Sequence, residues 1–227
     1  MANRAINYEL GDHLTIIGAT GSGKTRFVNE FLRQFAVQTH GYIPIYIFDT
    51  KQQGDFNHLA RKGVGQLQRG QKPLQTVQAK GAPFVVHQLE FDDFNIYDES
   101  LKNIYIARKP SITYIDEISS LTKGAGTPPR HYEILAKQGR GLKESVITGS
   151  QSPSYVPPST LRQVTHMIRM HLNDEYDIKK LMKSMGRVIE EEPYDDYGFW
   201  YRDCSKHIRK SPPIYYKHMQ EFFGIEN

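Results

Sequence analysis

The sequence predicts an α/β fold, a mostly parallel sheet covered by helices, and three observations carry that prediction. Short β-branched apolar runs alternate with helical stretches along the chain. A glycine-rich turn joins the first of these runs to an amphipathic helix. A later run ends in two adjacent acids. The 227 residues suit one generous domain, or one domain with a short appendage. Hydrophobic residues at 38% and charged residues at 24% fit a globular chain and exclude a disordered one.

The strands are expected at His13–Ile17, Ile43–Phe48, Phe84–His87, Ile112–Ile115, Ser145–Thr148 and Thr165–Leu172. Between the first two, Phe27, Val28, Phe31, Leu32 and Phe35 recur at helical spacing and form one apolar face. Ile178, Leu181, Met182 and Met185 do the same after Asn173–Asp177, whose polar residues suit a helix cap. These stripes are read as core packing. Three stretches read as irregular. Residues 61–80 carry Arg61, Lys62, Arg69, Lys72 and Lys80 without an acid, and residues 123–130 (KGAGTPPR) should form a loop. From Glu190 an acidic turn leads through Tyr197–Arg202 and a basic connection to Ile214–Tyr216, which reads as a β-hairpin-like extension. The expected division is a core over 1–185 and an extension over 186–227 packed on it.

The longest apolar runs, such as Leu14–Ile17, fall far short of the roughly 20 residues that span a bilayer, so no membrane span is expected. The first residues, MANRAINYELGDHL, hold no apolar stretch like a signal peptide, so a cytosolic chain is expected. Cys204 is the only cysteine, which excludes an internal disulfide and a Cys-rich zinc site. His166 and His171 have no ligand-like spacing to acids or cysteine, and no protein-held structural metal is expected. A net charge of +4 is too small to argue for nucleic acid by itself.

The chemistry lies in three segments. Gly18-Ala19-Thr20-Gly21-Ser22-Gly23-Lys24-Thr25 fits G-x-x-x-x-G-K-[ST], with an apolar strand before it and an amphipathic helix after it. Glycines let backbone N–H groups turn inward around phosphate oxygens at the positive end of the following helix. Lys24 would reach the β- and γ-phosphates and the Thr25 hydroxyl would ligate Mg²⁺. The mundane alternative is a glycine turn with a chance lysine, and both flanks argue against it. In the second segment, Ser-Ile-Thr-Tyr-Ile-Asp116-Glu117, an aspartate at a strand's carboxyl end suits a hydrated Mg²⁺. An adjacent glutamate suits a general base that polarises an attacking water. Such a pair can also cap a helix. Because a kinase must exclude that water, the pair points to hydrolysis. The third segment is Val146-Ile-Thr-Gly-Ser-Gln151-Ser-Pro153. Its glutamine could report the γ-phosphate, although such a residue is more often a loop residue bonding backbone.

Taken in order, these segments resemble the FtsK–HerA superfamily of P-loop ATPases, over roughly Leu14 to Leu181. The resemblance adds Asp49-Thr-Lys51 after the second strand and Ala136-Lys-Gln-Gly-Arg140 before the third segment. Thr50 stands where the family has proline, and Gly149-Ser150-Gln151-Ser152-Pro153 where it commonly has Thr-Gln-Arg-Pro. By size the chain looks most similar to the genome-packaging ATPases of tailless icosahedral double-stranded DNA viruses with an internal membrane.

The resemblance implies a RecA-like P-loop NTPase fold. It implies ATP and Mg²⁺ as cofactors, and Lys24, Asp116, Glu117, Gln151 and Arg140 as catalytic residues. Thr25 and Asp116 would serve the metal, the latter through water. Arg140 would enter a neighbour's site, with Arg130 and Arg169 as substitutes; a solvated cation at a helix end is the plainer reading. The implied partners are double-stranded DNA, further copies in a homohexamer, and capsid vertex proteins, in host cytoplasm and virion. Residues 61–80, Lys123–Arg130, or Tyr201-Arg202, Lys206-His207 and Arg209-Lys210 could meet DNA phosphates. The rival readings are a conjugation or mobile-element pump of the same superfamily, a small-molecule or nucleotide P-loop kinase, and a non-catalytic nucleotide-binding assembly protein.

Overall fold

The computed structural model describes residues 8–52, 54–123, 126–193 and 197–213. One nine-stranded sheet runs through them in the order β3-β4-β2-β5-β6-β1-β7-β8-β9. Its strands are β1 (Leu14–Ile17), β2 (Ile45–Phe48), β3 (Gly65–Arg69), β4 (Phe84–Gln88), β5 (Ser111–Ile115), β6 (Glu144–Ser150), β7 (His166–Arg169), β8 (Phe199–Arg202) and β9 (Ile208–Ser211). Every pairing from β3 across to β7 is parallel, whereas β8 and β9 run antiparallel. The expected α/β class is therefore the observed one. With helices on both faces, it is the RecA-like P-loop NTPase fold.

The central strands are short apolar runs because both of their faces are covered. Their side chains alternate between two cores. Ile16, Ile45, Ile47, Phe84, Val86, Ile112 and Tyr114 pack with Phe27, Val28, Phe31, Leu32 and Phe35 of helix α1 (Lys24–Gln38). On the opposite face Tyr46, Phe48, Val85, Ile115 and Val146 meet the other helices. These are α2 (Phe94–Ala107), α3 (Arg130–Gln138) and α5 (Glu175–Met185), with the short α4 (Pro158–Gln163) beside them. Asp93 caps α2 by accepting from the Asn95 and Ile96 amides at 2.9 and 3.1 Å. Asp174 caps α5 through the Tyr176 amide at 2.8 Å, within the polar run expected to do so.

The structure corrects two expectations and agrees with the loop expected at 123–130 over its described residues. Residues 61–80 are not one loop: they contain β3, an edge strand parallel to β4. Beyond it, Leu74 is buried and its amide bonds Ser100 Oγ at 2.9 Å. Lys123–Arg130 closes on itself through a bridge between Lys123 and Thr127, and Arg130 opens α3; residues 124 and 125 lie outside the described ones. The terminal hairpin does form, but its second strand is Ile208–Ser211, inside the expected basic connection. Residues 214–216 lie outside the described residues. Among the described residues no helix is long and apolar enough to cross a membrane.

Candidate nucleotide site and catalytic edge

Parallel strands bring their carboxyl ends to one edge of the sheet, and the singled-out segments meet there. The loop of residues 18–25 leaves β1 and enters α1. Its start is fixed by the Gly18 amide on Ser150 O at 3.1 Å and by the Ala19 amide on His171 O at 2.8 Å. A Cβ on Gly18 would come within 2.7 Å of Met170 Cβ, so only glycine passes there. Gly23, at φ +94, turns the chain into α1. A Cβ on it would lie 2.7 Å from the Tyr197 ring, which places the C-terminal segment against this loop. The first amides of α1 have no intrahelical partner, so the loop's end is a concentrated positive dipole. Half-buried Thr25 is the second residue of α1.

Lys24 is buried, and its ammonium donates to the carbonyls of Gly18 and Ala19, the latter at 2.9 Å. Burial, with Lys51 nearby, pulls its pKa from 10.5 down to about 8, against the pull of Glu117 and Asp116. A folded value below the unfolded one means that the unfolded chain holds more protons between about 8 and 10.5, so this group adds stability as pH rises through that window. Phosphates beside Lys24 would restore its proton. Nucleotide binding at pH 8 should therefore take up roughly half a proton per site. Calorimetry in two buffers of different ionisation enthalpy reads this directly, and zero uptake would mean either that Lys24 is already protonated in the free protein or that it does not meet the phosphates.

Asp116 and Glu117 follow β5, and both are buried. Asp116 Oδ1 accepts from Tyr114 OH at 2.9 Å, and Oδ2 lies 3.0 Å from the Lys51 ammonium. Glu117 Oε2 accepts from the Gln151 amide at 3.0 Å, and Oε1 from Ser150 Oγ at 3.2 Å. Burial raises the Glu117 pKa, with Lys51 and the hydrogen bonds acting against it. A raised pKa makes a carboxylate a better proton acceptor. Close packing fixes the pair in place: a Cβ on Gly149 of β6 would lie 2.4 Å from Asp116 O.

The donor set near the loop consists of hard oxygens, which is what Mg²⁺ takes. Asp116 Oδ2 accepts no hydrogen bond and faces the Lys51 ammonium at 3.0 Å. Thr25 and Asp116 therefore fit the ion, Asp116 through water. Among the described residues no cluster of three or more His, Cys, Asp or Glu suits a metal, so most ligands would come from phosphates and water.

Gln151 is exposed, and its backbone amide ties it to Glu117. Ser150, which the sequence reading passed over, joins the parts. Its carbonyl holds Gly18 while its hydroxyl holds Glu117. Asp49 and Lys51 belong to the same edge. Asp49 is buried and accepts from Gln88 Nε2 at 2.6 Å, and burial, with Asp116 nearby, raises its pKa.

Arg140 lies at the opposite edge. It sits in a 3₁₀ turn, Gly139–Leu142, before β6, packed against Gly11 at the amino-terminal end of β1. Its side chain is 71% exposed, with Nη2 3.8 Å from Asp12. At about 3.3 Å per extended residue, roughly 20 Å separates it from its own loop. Of the substitutes, Arg130 is exposed at the start of α3. Arg169 is wholly buried, bonded to Glu191 O at 2.8 Å and to the Glu192 carboxylate at 2.9 Å, which unfits it for reaching a neighbour. Arg202 is likewise taken up internally, by Ser184 O and Val164 O at 3.0 Å each. Trp200 is packed, donating to Glu191 O.

This architecture matches solved structures. B204, the DNA-packaging ATPase from Sulfolobus Turreted Icosahedral Virus, superposes with a TM-score of 0.70 at 15% identity, over 92% of this chain and 100% of that one. The chain has the B204 fold. The genome packaging NTPase B204 from Sulfolobus turreted icosahedral virus 2, in complex with ATP-γS, gives 0.67 at 16% identity over 90% and 98%. VirB4 of Thermoanaerobacter pseudethanolicus gives 0.61 at 10% identity over 92% and 90%. No family model and no curated protein sequence matches the chain.

Proposed function

We propose that the chain is an FtsK–HerA-type ATPase that translocates double-stranded DNA and packages a viral genome into a preformed capsid. The observation that carries the reading is the Asp116–Glu117 pair on the loop-bearing edge of a B204-like fold. In this reading the 18–25 loop and Lys24 hold the ATP phosphates. Thr25 and Asp116 hold Mg²⁺, which when bound neutralises phosphate charge. Glu117, oriented by Ser150 and the Gln151 amide, takes the proton of the attacking water. Gln151, exposed where β6 ends, would report the γ-phosphate. Arg140, exposed at the edge opposite its own loop, serves the next subunit of a homohexamer. Residues 1–185 form the motor core, and 186–227 pack on it and serve assembly on the capsid vertex, in host cytoplasm and virion.

The second reading is a conjugation or mobile-element DNA pump of the same superfamily, and VirB4 shares the fold. A kinase fits less well, since Glu117 is placed to use water rather than to exclude it. The test combines mass in solution with strand displacement. With ATP analogue and linear duplex DNA the protein should assemble as a hexamer, and with ATP it should strip a triplex-forming strand from the duplex. A monomer that passes phosphate to a small acceptor and ignores DNA would overturn the proposal.

A further inference from the structure

A row of polar side chains crosses the carboxyl edge of the sheet from its outer strand to the acids. Arg69 ends β3, Gln88 ends β4, Asp49 follows β2 and Asp116 follows β5, and these strands are consecutive neighbours in the sheet. The register aligns them: Arg69 pairs with Gln88, and Phe48 pairs with both His87 and Ile115, one residue before Gln88 and Asp116. Gln88 Oε1 accepts from Arg69 Nε at 3.1 Å and Nη2 at 2.7 Å. Its Nε2 donates to Asp49 Oδ2 at 2.6 Å and to Asn57 Oδ1 at 3.1 Å. A guanidinium only donates and a carboxylate only accepts, so a single amide orientation satisfies all four bonds. Beyond Asp49 stand Lys51 and Asp116, paired at 3.0 Å.

Arg69 is exposed, and so is Lys72 just after it, at the same end of the sheet as the nucleotide loop. Arg61, Lys62 and Lys80, by contrast, lie toward β3's amino end or beyond Leu74. The fold thus splits the basic stretch and sets one pair of cations beside the catalytic edge. Of the acids that follow β4, Asp92 and Asp93 are turned to Tyr97 OH and to the first amides of α2, while Glu90 is exposed.

We infer that Gln88 is a positioning residue that couples duplex DNA to hydrolysis: phosphodiesters bound at Arg69 and Lys72 draw the Arg69 guanidinium from Gln88, which changes how Gln88 holds Asp49 beside the Lys51–Asp116 pair. Phosphate oxygens compete well for Arg69 because the new bonds are bidentate and charge-assisted, while its present acceptor is a neutral amide. Gln88 is buried and cannot itself touch DNA. This inference rests on the DNA-translocase reading.

The experiment measures duplex DNA binding, and the ratio of ATP hydrolysis with saturating linear duplex to hydrolysis without it. A ratio taken within one preparation is insensitive to the fraction that has folded. Gln88→Met should bind duplex as the parent does yet lose at least about three-quarters of the DNA stimulation. Arg69→Gln, a change on an exposed side chain, should weaken DNA binding several-fold and also lower the ratio at saturating duplex. The double variant should be no worse in ratio than Gln88→Met alone, since both cut one path. Parental ratios in Gln88→Met and Arg69→Gln would overturn the coupling and leave the DNA reading intact. A parent protein that neither binds nor responds to duplex would overturn that reading, and the coupling with it.

Discussion

Replacing Glu117 with glutamine should leave ATP binding intact and lower hydrolysis by about 10²–10⁴-fold, the range over which a positioned general base contributes. The site is built so that the change is chemical rather than structural. Glu117 Oε2 accepts from the Gln151 amide, and a glutamine carbonyl can accept the same bond. Its NH₂ would then face Ser150 Oγ, whose proton already has a second acceptor in Ser152 O at 2.8 Å. A hydroxyl both donates and accepts, so Ser150 receives the new donor by turning its proton to that carbonyl. The bonds to the Gln151 amide and to Ser150 are thus both kept. What is lost is the negative charge and the proton affinity that burial raises. Phosphate release measured beside binding of a fluorescent ATP analogue separates the two quantities. Normal turnover with normal binding would remove Glu117 as the base, and loss of binding would make it part of the nucleotide cradle instead.

The parts of the edge that the sequence made legible are those in which chemistry and strand pattern coincide. The run before Gly18 and the five apolar residues of α1 read correctly, because a fully buried parallel strand and a one-faced helix leave unmistakable spacing. Asp116 and Gln151 were visible for the same reason, each following a short β-rich run with a polar residue, whereas Asp49 stood out only through the family resemblance. β3 was not legible. Gly65-Gln-Leu-Gln-Arg69 is an edge strand with mostly exposed side chains, so neither alternation nor apolar content marks it. Its identity depends on pairing with β4, and so does the row through Gln88, whose bond to Asp49 joins residues 39 apart. Ser150 was overlooked beside a more conspicuous glutamine, although a buried serine ending a strand has to place its hydroxyl somewhere. The fate of the arginines was the least accessible. Arg169 and Arg140 look alike as letters, yet one ends inside the sheet and the other on its far rim.

That far rim makes the trans role of Arg140 open to a decisive test. In an assembled ring, Arg140→Ala should slow hydrolysis by about 10³–10⁵-fold, as for arginines that stabilise the γ-phosphoryl charge in other NTPases. Stability should hardly change. The ion pair being lost is long, at 3.8 Å, and its arginine is 71% exposed, so it is worth no more than about 1 kcal/mol. Asp12 keeps its own partners, the Glu9 amide at 3.0 Å and the His166 ring at 3.2 Å. A rate loss without a stability loss separates chemistry from folding, but not a neighbour's site from the subunit's own. Mixing does that. Arg140→Ala subunits keep a working nucleotide loop, and Lys24→Ala subunits keep a working arginine. Each variant alone makes an inactive ring under either mechanism. In a random equal mixture, about one interface in four joins an intact loop to an intact arginine across subunits, whereas no single subunit ever holds both. Activity regained on mixing therefore requires Arg140 to act across the interface. Continued silence in verified mixed rings, or full activity of Arg140→Ala alone, would move the arginine role elsewhere, with exposed Arg130 next in line and Arg169 excluded by its burial.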